Sequence, residues 1–166
     1  NNKASSHIDR FFSVIKEFFK KNFYLVIVLS VITIVVFGFE LFNFNLTIDE
    51  EVHAINNGPV LDWIKQGRWG MYLLNKILLP YTVIPFFPLF LALIFHISSI
   101  ILLVNVWGDY TKIEKIFIGS ICISYPGIAY AYTFSTINYG IGFGFLCCAL
   151  SLWFFAKCKG IRVFYA

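Results

Sequence analysis

The chain has 166 residues, of which 59% are apolar and only 13% are charged, and its mean hydropathy is +0.78. Soluble domains carry about 25% charged and about 45–50% apolar residues, so this composition excludes a soluble domain and predicts a membrane protein. Aromatic residues make up 20% of the chain, which excludes a disordered one.

The first 42 residues predict an interfacial helix followed by a membrane span. In residues 1–22, apolar and charged side chains recur at helical spacing, as in amphipathic helices that lie along a lipid surface. Phe23 to Phe39 contains no charged residue and would reach about 26 Å as a helix, the lower limit for crossing a bilayer core. We therefore expect a cytoplasmic interfacial helix at 1–22 and the first span at 23–42.

Three later apolar stretches predict further spans, at 84–107, 116–133 and 138–156. Residues 77–107 hold no charged side chain, but prolines cluster in their first half, so the span is expected to begin near Ile84. The expected fold class is therefore an all-α polytopic membrane protein, with about four transmembrane helices plus interfacial helices. A loop at 43–83 and a tail at 157–166 complete this single domain.

Lysine and arginine residues divide unequally between the two sides of this arrangement. The side of 1–22, 108–115 and 157–166 holds ten, whereas the side of 43–83 and 134–137 holds three. Since positive charge marks cytoplasmic segments, both termini are expected in the cytoplasm and loop 43–83 outside. The net charge of +4 is thus a topology signal that attracts anionic lipid of the bilayer, and no nucleic-acid partner is expected.

The outward loop contains three consecutive acidic residues, Asp49, Glu50 and Glu51. Adjacent carboxylates repel one another, so such a cluster either retains a proton or recruits a divalent metal ion. His53 lies one turn after Asp49 on any local helix, within reach of the acids or of a metal. The alternative is a solvated loop that keeps this segment out of the lipid.

A second amphipathic helix is expected over 59–79, after the helix-breaking residues Asn57-Gly58. Its polar stripe consists of Lys65, Arg68, Tyr72, Asn75 and Lys76. This pattern predicts a helix in the outer lipid interface, anchored by Trp63 and Trp69. Arg68 is the best candidate for binding a lipid phosphate, because a guanidinium can donate two hydrogen bonds to one phosphate. The alternative is ordinary attraction to phospholipid headgroups.

Two motifs in this loop carry a resemblance to a known family. Asp49-Glu50, followed by Trp-Ile-Lys-Gln-Gly-Arg-Trp-Gly at 63–70 and by Leu73-Leu74, looks like the amino-terminal region of the phage-type O-antigen glucosyltransferases (the Gtr type II family, of the GT-C class). The resemblance covers about residues 20–110, and Gln-Gly-Arg-Trp is its most specific part. The family pattern has two Asp where this chain has Asp-Glu. Such enzymes also have more spans, so we expect a fragment or a shorter relative.

The resemblance implies an inverting glycosyltransferase of the bacterial inner membrane. It would move a sugar, glucose in the family, from a polyprenyl-phosphate donor to a polysaccharide acceptor such as the O-antigen of lipopolysaccharide, on the extracytoplasmic side. Asp49 is the first candidate for the base that takes the acceptor proton, and Glu50 is the second. The residues expected to bind substrate are Arg68, Lys76, Gln66, Trp69 and His53. No cofactor is expected apart from a divalent metal, which the acids leave open.

The runner-up function is a non-enzymatic four-span protein, either a flippase for lipid-linked sugars or an assembly partner. Within the spans, His96 is compatible with a neutral histidine bonded to a neighbouring helix or with a proton relay. Thr136, Gly140, Gly144 and Cys148 recur every four residues and predict a small-residue packing face on the last helix. A flippase would need polar residues through the depth of the membrane, and the sequence has few there.

Overall fold

The computed structural model describes residues 2–43, 61–79, 86–134 and 137–157. Within these ranges the chain forms only helices and turns, and three of the helices are long and apolar enough to cross a membrane. The predicted all-α class of a polytopic membrane protein is therefore confirmed. The helices are α1 (Asn2–Phe42), α2 (Leu61–Lys65), α3 (Trp69–Leu78), α4 (Phe87–Val106), α5 (Lys112–Ile123), α6 (Pro126–Tyr132) and α7 (Asn138–Lys157).

Helix α1 is continuous over 41 residues, so the segments expected as an interfacial helix at 1–22 and a span at 23–42 are joined without a break. No proline and only one glycine occur between Asn2 and Phe42, so nothing in the backbone interrupts the helix there. Its portion Lys20–Phe42 is one of the three candidate spans.

Helices α4 and α7 form the most extensive helix pair of the described structure. They approach closely at Gly142, where an added Cβ would lie 2.6 Å from the carbonyl oxygen of Ala92. Further along, the ring of His96 meets that of Phe145 edge-on, with centroids 5.2 Å apart. Because Ala92 pairs with Gly142 and His96 with Phe145, the two helices run in the same direction.

The predicted small-residue face of α7 is only partly in contact with a neighbouring helix, and its first member, Thr136, lies outside the described residues. Gly144 and Cys148 are exposed, and an added Cβ at Gly144 would meet nothing within 4 Å. Gly142 packs on α4 instead, while Gly140 contacts α3. A four-residue repeat places residues on one side of a helix, but it does not indicate which side a neighbouring helix covers.

The segment expected as one span at 116–133 is divided into the two short helices α5 and α6, so the expectation of one continuous helix there is wrong. Pro126 has no amide hydrogen to donate to an α5 carbonyl, and it holds Tyr125 in an extended conformation with ψ 121°. Helix α5 has 12 residues and reaches only about 18 Å, which is less than the thickness of a bilayer core. The proline that divides the span was visible in the sequence.

Polar side chains connect three helices at one end of the helix bundle. At the end of the bundle that contains Asn22, which we call the Asn22 end, the side chain of Asn105 donates a hydrogen bond to Asn22 (2.9 Å), and Lys115 donates one to Asn105 (2.6 Å). Burial lowers the pKa of Lys115 from its ordinary value, and the positive charge of Lys21 lowers it further. At the opposite end of the bundle, α1 ends and α4 begins.

Candidate functional site

The predicted site residues divide into two groups. Asp49, Glu50 and His53 lie outside the described residues, so their predicted roles remain predictions. The other four candidates, Gln66, Arg68, Trp69 and Lys76, lie in the turn between α2 and α3 and on α3 itself. The described part of the site is therefore the α2–α3 segment.

The continuous helix expected over 59–79 is interrupted in the structure at Gly67. Gly67 adopts φ +75°, a left-handed conformation that glycine reaches without the steric penalty of a Cβ. Its N–H donates to the carbonyl of Ile64 (3.0 Å), and the N–H of Arg68 donates to the carbonyl of Trp63 (2.7 Å). This pair of bonds is the Schellman arrangement that ends a helix. The glycine of the Gln-Gly-Arg-Trp motif thus turns the chain from α2 into α3.

Arg68 follows this turn immediately, at the N-cap of α3. Its guanidinium carbon lies 5.7 Å from the centroid of the Trp63 ring, and the Trp63 side chain is buried while Arg68 is exposed. A guanidinium that stacks on an aromatic face keeps the N–H groups of its edge available to an anion. Gln66, within the same turn, is also exposed. The turn therefore presents a cation supported by a buried indole.

Lys76 does not belong to the same cluster as Arg68. It lies eight residues further along, which is about 12 Å along a helix axis. It occupies the last turn of α3, where a positive charge interacts favourably with the helix dipole. Of the predicted substrate-binding residues, the structure groups Gln66, Arg68 and Trp69 at one end of α3 and places Lys76 at the other.

Helix α3 has one face open and one face against α7. Trp69, Leu73 and Ile77 recur every four residues and are all exposed, Trp69 by 70%. On another side of the helix, the side-chain amide of Asn75 donates a hydrogen bond to the hydroxyl of Tyr139 in α7 (3.1 Å). An exposed apolar stripe with a tryptophan at one end suits a helix that lies in a lipid interface.

Glu40 is a functional candidate that the sequence analysis did not single out. It lies in the last turn of α1, and its Oε2 is buried without a hydrogen-bond partner among the described residues. Burial of a carboxylate oxygen without a hydrogen-bond partner costs free energy. An acidic residue at such a position is therefore a candidate for a functional role. The sequence does single out this position, because Glu40 is the only acidic residue in the candidate span Lys20–Phe42.

His96 is buried in α4 and bonded to a neighbouring helix. Its Nδ1 lies 3.1 Å from the hydroxyl of Tyr132 in α6, whereas its Nε2 is buried with no hydrogen-bond partner among the described residues. The contact with Tyr132 agrees with the expectation of a histidine bonded to a neighbouring helix.

No group of three or more potential metal ligands occurs in the part of the chain that the structure describes. The acids at 49–51 fall outside that part. A divalent metal at those acids is therefore still a prediction from the sequence.

Comparison with known proteins identifies one family. A family model described as Glucosyl transferase GtrII matches residues 38–166, a range that includes Glu40, the acids at 49–51 and the whole α2–α3 segment. No curated protein and no solved structure matches the chain. The match confirms the resemblance that rested on the Asp-Glu and Gln-Gly-Arg-Trp motifs.

Proposed function

This chain belongs to the Glucosyl transferase GtrII family of membrane glycosyltransferases, and we propose that it moves glucose from a polyprenyl-phosphate donor to a polysaccharide such as the O-antigen. The family match over 38–166 is the observation that carries this proposal. The charge asymmetry supports a site on the extracytoplasmic side of the bacterial inner membrane, with both termini in the cytoplasm. The non-enzymatic alternatives, a flippase or an assembly partner, have no comparable support.

The proposed donor site is the start of α3. Arg68 binds the donor phosphate, with Gln66 and Trp69 beside it. The exposed stripe of Trp69, Leu73 and Ile77 supports this assignment, because it would place α3 where the polyprenyl chain enters the lipid. Lys76, at the far end of α3, contributes positive charge towards the headgroup layer and does not contact the same phosphate.

The proposed reaction is a single displacement with inversion at the anomeric carbon. Asp49 takes the proton of the acceptor hydroxyl, with Glu50 as the second candidate, while the acceptor oxygen bonds to the anomeric carbon. The bond from that carbon to the phosphate oxygen breaks, and Arg68 stabilises the phosphate that leaves. His53 assists in binding the substrate. We assign Glu40, nine residues before Asp49, to the same site as a carboxylate that hydrogen-bonds an acceptor hydroxyl.

The test is sugar transfer by the full-length enzyme in membranes, with polyprenyl-phosphate glucose labelled in the sugar. Asp49→Asn keeps the size of the side chain but cannot accept the proton, so we expect transfer to fall about 10²- to 10⁴-fold at unchanged membrane expression. Glu51→Gln is the matched control and should cost much less. Assays with EDTA and with added divalent metal establish whether the acids need an ion.

Two outcomes would contradict the proposal. Wild-type enzyme that transfers no glucose from this donor would overturn the function. Equal, mild losses for Asp49→Asn, Glu50→Gln and Glu51→Gln would show that the acids are a solvated loop, and would remove the catalytic assignment while leaving the donor in place.

A further inference from the structure

Helix α3 is held against α7 by two specific side-chain contacts. Asn75 donates its hydrogen bond to the hydroxyl of Tyr139, a side chain that is only 1% exposed. The second contact is between Met71 of α3 and Gly140, the residue after Tyr139 in α7. The thioether of Met71 fills the space beside Gly140, where an added Cβ would overlap the Met71 sulfur. Met71 and Asn75 are four residues apart and therefore lie on the same side of α3.

The α7 side of this contact is fixed by its own neighbours. The side chain of Asn138 accepts a hydrogen bond from the Tyr139 N–H (2.6 Å) and donates one to the carbonyl of Tyr132 (3.3 Å), which ties the start of α7 to α6. Four residues after Asn138, Gly142 packs directly on the backbone of α4. Tyr139 and Gly140 thus belong to the most tightly packed part of the described bundle.

Helix α3 is less deeply buried than the start of α7. None of its residues from Trp69 to Leu78 is fully buried, and its stripe of Trp69, Leu73 and Ile77 is exposed. Met71 and Asn75 make specific contacts with α7, so they contribute to the position of α3 relative to the spans. Arg68 lies one turn before Met71, so a shift of α3 moves Arg68 with it.

We propose that Tyr139 and Gly140 are positioning residues, which dock α3 on the first turn of α7 and thereby hold Arg68 at the place where it meets the donor phosphate. The inference rests on the proposed function, because it takes Arg68 to be the donor-binding cation. Neither residue contacts the substrate; each acts through α3.

This role predicts a specific kinetic signature. If α3 leaves its docked position for part of the time, the fraction of enzyme that is competent to bind the donor falls, and the apparent donor affinity falls in proportion. Saturating donor restores the docked state, so kcat changes little while KM for the donor rises. A residue that only stabilises the fold would reduce the amount of active enzyme and leave KM unchanged.

The experiment compares four variants of the full-length enzyme in membranes. Tyr139→Phe removes the hydroxyl that accepts from Asn75, and Gly140→Ala pushes Met71 away from α7. We expect either change to raise KM for the donor about two- to tenfold, the equivalent of one hydrogen bond, with kcat and acceptor KM nearly unchanged. Gly140→Ala combined with Met71→Ala should recover part of the loss, because the shorter side chain leaves room for the new methyl group. The control is Gly144→Ala, one turn further on, where an added Cβ meets nothing within 4 Å.

Unchanged donor KM in both Tyr139→Phe and Gly140→Ala, with active wild-type enzyme, would overturn this inference and leave the proposed function intact. Inactive wild-type enzyme would instead contradict the proposed function. Tyr139→Phe preserves the packing volume, so it provides the measurement even if Gly140→Ala lowers expression.

Discussion

The hydroxyl of Tyr132 lies 3.1 Å from Nδ1 of His96, and this contact joins α6 to α4 in the interior of the bundle. Both side chains are almost completely buried. Because residue 126 is proline, the carbonyl of Cys122 lacks the amide donor that the next helical turn would supply. His96 contacts α6 through Tyr132 and α7 through the ring of Phe145.

We expect Tyr132→Phe to destabilise the protein by about 0.6 kcal/mol and by no more than about 1.7 kcal/mol, the average and the maximum found for hydrogen bonds between membrane helices. The phenyl ring would keep the packing but leave Nδ1 of His96 without its partner. SDS-induced unfolding in detergent micelles measures the difference. Ser98→Ala is a suitable control, since the Ser98 hydroxyl is exposed and donates only to the Ile94 carbonyl of its own helix. A loss no greater than that of the control would show that the His96–Tyr132 contact contributes nothing.

We expect Gly142→Ala to destabilise the α4–α7 pair by about 1 to 3 kcal/mol, the usual cost of overpacking a close contact. The new methyl group would lie 2.6 Å from a backbone oxygen of Ala92, so only a movement of one helix can relieve the overlap. Gly144→Ala, at a position with open space, should be nearly neutral. The same unfolding assay compares the two, and equal stability would contradict the close approach of α4 and α7.

We expect loop 43–83 to be accessible from outside the cell membrane. In a background without the native cysteines, Asn56→Cys should react with a membrane-impermeant thiol reagent in intact spheroplasts. Asp109→Cys, in the segment between α4 and α5, should react only after the membrane is broken. The reverse pattern would invert the topology, and with it the side on which transfer takes place.

We expect Arg68→Lys to raise KM for the donor about tenfold or more, because lysine keeps the charge but loses the paired hydrogen bonds and the planar stacking on Trp63. Steady-state transfer assays of the full-length enzyme measure this change. Lys112→Ala is the control, since Lys112 also lies over an aromatic ring, that of Tyr24, but at the Asn22 end of the bundle. If Arg68→Lys bound the donor as well as wild type, Arg68 would not be the phosphate ligand.

Features that depend on local composition could be predicted from the amino-acid sequence. Long runs without charge predict apolar helices, and the structure contains them at Phe87–Val106 and Asn138–Lys157. The motifs around Asp49 and Arg68 also indicated the family, because they depend only on the order of residues along the chain. Gly67 and Pro126 interrupt helices locally and are visible in the sequence, but the amphipathic or apolar periodicity on both sides of each residue favoured a continuous helix.

The faces through which these helices meet could not be predicted from the sequence and depend on the tertiary packing. Gly140, Gly142 and Gly144 are nearly indistinguishable in sequence, yet they face α3, α4 and open space respectively. The partner of His96 is Tyr132, 36 residues further along the chain. The contacting face of a helix and the partner of a buried side chain depend on segments that are distant in sequence, whereas helix periodicity describes a single segment. In a membrane span that is apolar on all sides, hydrophobicity cannot identify the buried face, so the fit between side chains of neighbouring helices determines it.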